Sequence, residues 1–127
     1  MQKHTPKHVV AVVNDLFFIA KIMESAKRAG MGVTFVKESK EALAHAKTLP
    51  TLMIFDLNFD AVEPLKLIEE LKADSETKRI PLIAYLSHVQ GELKQKAHET
   101  GCDMVLAKSA FSQNLPQILK RHAGVVV

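Results

Sequence analysis

Thr51-Leu-Met-Ile-Phe-Asp56 is the stretch that decides the fold. Aliphatic and aromatic side chains run unbroken to Phe55 and end on one carboxylate. A short apolar run of this kind reads as a buried strand. Strands buried on both faces belong to parallel sheets covered by helices. Two more runs end on charge in the same way. His8-Val-Val-Ala-Val-Val-Asn14 is followed by Asp15, and Asp103-Met-Val-Leu-Ala107 by Lys108. Open α/β sheets place their ligands outside the carboxyl ends of the strands. Three parallel strands would therefore bring Asp15, Asp56 and Lys108 to one edge, a set suited to a divalent metal and a phosphoryl group.

Working outward, apolar runs alternate with helical periodicity. Leu16, Ile19, Met23 and Ala26 share one helical face, and Gly30 stops that helix. Gly32–Val36 reads as a second strand, and Ser39 to about Thr48 as a helix that Pro50 prevents from continuing. Pro64 suits the first turn of a third helix reaching about Ala73. Pro81–Leu86 is a fourth strand, Glu92–Thr100 a fourth helix ended by Gly101, and Met104–Ala107 a fifth strand. Ser112 or Asn114 is expected to cap a last helix with Pro116 in its first turn, ending near His122. Five strand–helix pairs in strict alternation predict a three-layer α/β fold, a five-stranded parallel sheet with five helices on its two faces.

At 127 residues the chain is expected to form a single domain over 1–127. Its 47% hydrophobic content supports a core without disulfide or metal staples. Cys102 is the sole cysteine, which excludes an internal disulfide and suits a reducing cytoplasm. The polar start, Met1 to His8, has no signal-peptide apolar stretch, and no run is long enough for a bilayer span, so a cytoplasmic location without membrane contact is expected. The net charge of +3 is dispersed among acids such as Glu69, Glu70 and Glu99, and one Tyr with no Trp leaves few stacking platforms. Nucleic acid is not an expected partner. The histidines show no zinc-type spacing; His88, just past the fourth strand, is the one near the predicted edge. No Gly-rich phosphate loop follows the first strand, since Asn14-Asp-Leu-Phe-Phe18 stands there, so a nucleotide- or flavin-binding enzyme is poorly supported.

Val12-Val-Asn-Asp15, Ile54-Phe-Asp-Leu-Asn58, Ile80-Pro-Leu-Ile-Ala84 and Gly101-Cys-Asp-Met-Val-Leu-Ala-Lys108 together resemble the receiver domain of bacterial two-component response regulators, including the single-domain chemotaxis (CheY-like) type. The resemblance spans nearly the whole chain. It implies a flavodoxin-like fold with strand order 2-1-3-4-5. It implies that Asp56 accepts phosphate from a histidine kinase or phosphotransfer protein, and that Lys108 partners the phosphate. It also implies weak Mg²⁺ binding by Asp15, Asp56 and the backbone carbonyl of Asn58, with Asn14 in place of a second acid. A carboxylate is a competent nucleophile toward phosphorus, and Mg²⁺ favours hard oxygen ligands.

The chain departs from the family pattern at several points. Leu86 stands where the family has Thr or Ser, and Val105 where it has the aromatic switch residue. Ser87 could replace the missing hydroxyl only if the strand end bulged, because strands alternate faces. Ser109 replaces the family Pro, so the cis peptide found there is not expected. Phe59 and Asp60 replace a Met-Pro pair, and Pro64 a Gly; Phe59 either packs on the helix beneath or covers the site. Cys102 is expected as a buried, inert thiol. The apolar tail Gly124-Val-Val-Val127 could dock on the domain or on a partner. The resulting expectation is an atypical stand-alone receiver that contacts a separate downstream protein through the fourth helix and fifth strand, around Leu93, Lys94, Val105 and Leu106. The alternative is a pseudo-receiver, an interaction module independent of phosphate.

Overall fold

The computed structural model describes residues 7–87 and 91–124. Its strands are β1 (His8–Val12), β2 (Gly32–Val36), β3 (Leu52–Asp56), β4 (Leu82–Leu86) and β5 (Met104–Ala107). Helices α1 (Leu16–Arg28), α2 (Ser39–Ala46), α3 (Pro64–Ala73), α4 (Gly91–Glu99) and α5 (Lys108–Ala123) follow them in turn, with a 3₁₀ turn at Asp60–Val62. All neighbouring strands pair parallel, in the order β2-β1-β3-β4-β5. The expected architecture and order are those observed.

Alternation along the central strands divides the core in two. Val10, Val12, Met53, Phe55, Ala84 and Leu86 pack on one face of the sheet, with Leu67, Ile68 and Leu71 of α3. Val9, Ala11, Ile54, Ile83 and Tyr85 pack on the other, with Ile22 of α1 and Phe111 and Leu115 of α5. β3 and β4 are buried at every residue, as their apolar sequences require. The strand order reverses between β1 and β3, and the crevice at such a reversal is where open α/β sheets bind ligands.

The last helix corrects the sequence expectation. It begins at Lys108, directly after β5, and neither Ser112 nor Asn114 is its cap. Pro116 lies inside it rather than in the first turn. Phe111, Leu115, Ile118 and Leu119 are buried along one stripe of α5. Burying four such side chains contributes roughly 1.5–3 kcal/mol each, against about 3 kcal/mol for an interior proline. The apolar stripe therefore overrides the local start signals. Asn114 instead donates from Nδ2 to the Ala110 carbonyl at 2.7 Å. Helix α2 also ends earlier than expected, at Ala46, and Leu49 takes a left-handed φ of 57° before Pro50. His88 and residues 125–127 of the apolar tail lie outside the described residues.

Candidate functional site

Each residue expected at the edge is placed there by an element end. Asp15 is the N-cap of α1, and its Oδ1 accepts from the backbone N–H groups of Phe17 (2.8 Å) and Phe18 (3.4 Å). An acid at that position satisfies orphan donors and meets the positive end of the helix dipole. Asp56 closes β3 and is 7% exposed. Its Oδ1 accepts from the backbone N–H of Asn58 at 2.9 Å. Lys108 opens α5, with its Nζ 3.5 Å from Asp15 Oδ2 and 5.8 Å from the centroid of the Phe18 ring.

The three groups also sense one another electrostatically. Burial raises the Asp56 pKa above its ordinary value, opposed by the Asn58 N–H and the Lys108 ammonium and assisted by the Asp15 and Asp60 carboxylates. The ion pair formed by Lys108 joins it to Asp15 rather than to Asp56. Asn14 is exposed in the turn between β1 and α1. No group of three or more His, Cys, Asp or Glu residues suited to a metal occurs among the described residues.

The altered positions have definite environments. Leu86 and Val105 are 1% and 3% exposed and belong to the core on the α3 face. Val105 was expected on the partner-contacting surface, and its burial removes it; Leu93 and Leu106 are partly buried and Lys94 is exposed. The Ser87 hydroxyl donates to Asn58 Oδ1 at 2.9 Å, and the Ser87 N–H donates to the same oxygen at 2.7 Å. Its contact with the Asp56 loop thus runs through Asn58. Phe59 packs against the α3-side core. Peptide bonds among the described residues are all trans, including Lys108–Ser109. Cys102 is buried, and burial pushes its thiol pKa up to about 11.

Sequence reasoning missed one site residue, Tyr85. It is the register partner of Asp56 across β3 and β4. Its ring stacks between Phe18 (centroids 4.6 Å apart) and Phe111 (4.8 Å). The signal was available: placing Leu86 on the α3 face puts Tyr85 on the Asp56 face by alternation.

A doubly wound parallel sheet in the order 2-1-3-4-5, with an acid after β1, an acid ending β3 and a lysine after β5, has the CheY-like flavodoxin fold. No family model matches the sequence. The chain is similar to the polar-differentiation response regulator DivK of Brucella anthropi, 22% identical over 120 residues, covering 94% of this chain and 98% of that one. Among solved structures, a response regulator from Hahella chejuensis superposes with a TM-score of 0.83 at 18% identity, covering 94% and 96% of the two chains. The receiver domain of sensor histidine kinase PA1611 from Pseudomonas aeruginosa, with a magnesium ion coordinated in its active-site cleft, gives 0.79 at 21% identity, covering 94% and 99%. No helix among the described residues is long and apolar enough to cross a membrane.

Proposed function

We propose that this chain is a cytoplasmic receiver that takes a phosphoryl group onto Asp56 from a histidine kinase or phosphotransfer protein. The observation that carries the reading is the placement of the Asp56 carboxyl at the end of β3, close enough to Asp15 and Lys108 for both to influence its charge. An incoming phosphoryl group adds negative charge that the Lys108 ammonium can meet at modest cost, because its bond to Asp15 is long and partly exposed.

Mg²⁺ would be held by Asp15, Asp56 and the Asn58 carbonyl, with Asn14 offering a neutral oxygen. When bound it would offset charge on the phosphoryl oxygens. Two carboxylates instead of three, one already capping α1, support weak affinity. The signal would pass to a separate protein through the α4–β5 face around Leu93, Lys94 and Leu106. Readout is weakened because Leu86 offers no hydroxyl and Val105 no aromatic ring, both packed as core.

That same packing favours a second reading, a pseudo-receiver whose fold is recognised without phosphate. The two are separated by incubating the native chain and Asp56→Asn with a small phosphodonor and Mg²⁺ and reading intact mass. A phosphoryl adduct on the native chain alone supports the phosphoacceptor. No adduct on either, with a flat Mg²⁺ titration, overturns it in favour of the pseudo-receiver.

A further inference from the structure

Tyr85 carries the one buried side-chain polar atom without a hydrogen-bond partner among the described residues. The residue is completely buried. Packing explains its ring, which fills the space between Phe18 and Phe111. Packing does not explain its hydroxyl, since phenylalanine would fill the same stack without an orphan donor, and an unmade buried hydrogen bond is costly.

The hydroxyl's neighbours suggest its use. Asp56 and Tyr85 are register partners on adjacent parallel strands, and alternation sets both side chains on the α1–α5 face. Burial raises the phenol pKa first, and the nearby Asp56 and Asp15 carboxylates raise it further. A phenol is protonated at neutral pH and can donate; the Tyr85 hydroxyl lies close enough to the Asp56 carboxyl to interact with it, but makes no hydrogen bond of good geometry. Asp56 Oδ1 already accepts from Asn58.

We infer that Tyr85 is a binding residue of this site, whose hydroxyl donates a hydrogen bond to the anionic group formed on Asp56 and so stands in for the hydroxyl that Leu86 lacks. The inference rests on the reading of Asp56 as phosphoacceptor. A tetrahedral group on the carboxyl extends its acceptors beyond the two oxygens present before transfer, bringing one within reach of a donor already in place. No ring movement through the sheet is needed, and the hydroxyl gains a well-formed hydrogen bond in the loaded state.

The test uses beryllofluoride with Mg²⁺ as the phosphoryl mimic on the full chain. Tyr85→Phe is expected to bind it about tenfold more weakly or worse than the native chain, the factor typical of losing a hydrogen bond to a charged group. The thermal midpoint of the free variant should stay level or rise, because an unsatisfied hydroxyl has been removed. In the native chain, beryllofluoride should also bring out an exchange-protected phenolic proton in the NMR spectrum, absent in Asp56→Asn. Equal affinity for native and Tyr85→Phe, or weaker binding matched by a lower midpoint of the free variant, overturns the role of Tyr85 while leaving Asp56 as acceptor. Failure of the native chain to bind overturns the phosphoacceptor reading and this inference with it.

Discussion

Lys108 Nζ sits 3.5 Å from Asp15 Oδ2 while the other oxygen of Asp15 caps α1, so one carboxylate holds both the cation of the site and the start of a helix. Both partners of the ion pair are one-third exposed. Such a pair contributes less than about 1 kcal/mol to folding. Lys108→Met should therefore lower stability only slightly in urea denaturation, and the difference should shrink in high salt. Beryllofluoride affinity should fall by about tenfold or more, since the cation facing the new charge is gone. A stability loss of several kcal/mol would instead mark Lys108 as structural.

Asp56 gives a pH signature. Its folded pKa is raised, chiefly by burial. Between the ordinary carboxylate pKa and the raised one, the folded chain holds a proton that the unfolded chain has released. Native stability consequently falls as pH climbs through that window, and the full penalty persists above it. Asp56→Asn removes this term. The variant should melt higher than the native chain at neutral pH, with the gap closing as pH drops below the ordinary carboxylate range. Thermal midpoints across a pH series check this. A variant that melts lower at neutral pH would show that the charge is well solvated.

Much of this was legible in the sequence because burial on both faces leaves an unmistakable pattern. The runs through Phe55 and Val12 imply central parallel strands, and their charged ends imply an edge. What was illegible depends on competition or on distance. Ser112, Asn114 and Pro116 all signal a helix start, yet the stripe from Phe111 to Leu119 carries the helix back to Lys108. The choice of Asp15 over Asp56 as the partner of Lys108 is set by spacing across strands, which no local pattern encodes. Tyr85 is a different case. Its facing was deducible from Leu86, but its orphan hydroxyl depends on what Phe18 and Phe111 exclude.

Cys102 should be chemically silent in the folded chain. Its thiol is buried, donates to the Leu82 carbonyl at 3.3 Å, and has its pKa pushed up to about 11 by burial. At pH 8 only about one thiol in a thousand would be thiolate, and the thiolate is the reactive form. Native protein should resist a thiol-disulfide reagent over the time in which urea-unfolded protein reacts fully. Rapid labelling without denaturant would mean that the β4–β5 end of the sheet opens readily.

Gly101 tests the link between backbone and side chain at the turn before β5. Its φ is +104°, a region that side chains rarely adopt, and a Cβ there would lie 2.8 Å from Lys72 Cγ. Lys72 has little room to yield. Its Nζ donates to the carbonyls of Lys78 and Ile80 and pairs with Asp103 at 3.0 Å, and Asp103 in turn accepts from the Leu82 N–H. Gly101→Ala should cost about 1–2 kcal/mol from backbone strain alone, plus the displacement of Lys72. In a Lys72→Ala background the displacement part disappears and the cost of Gly101→Ala should fall toward the strain value. Urea denaturation of the four proteins in that double-mutant cycle measures the coupling. Additive effects would show that Lys72 moves aside freely, and that only the φ angle demands glycine.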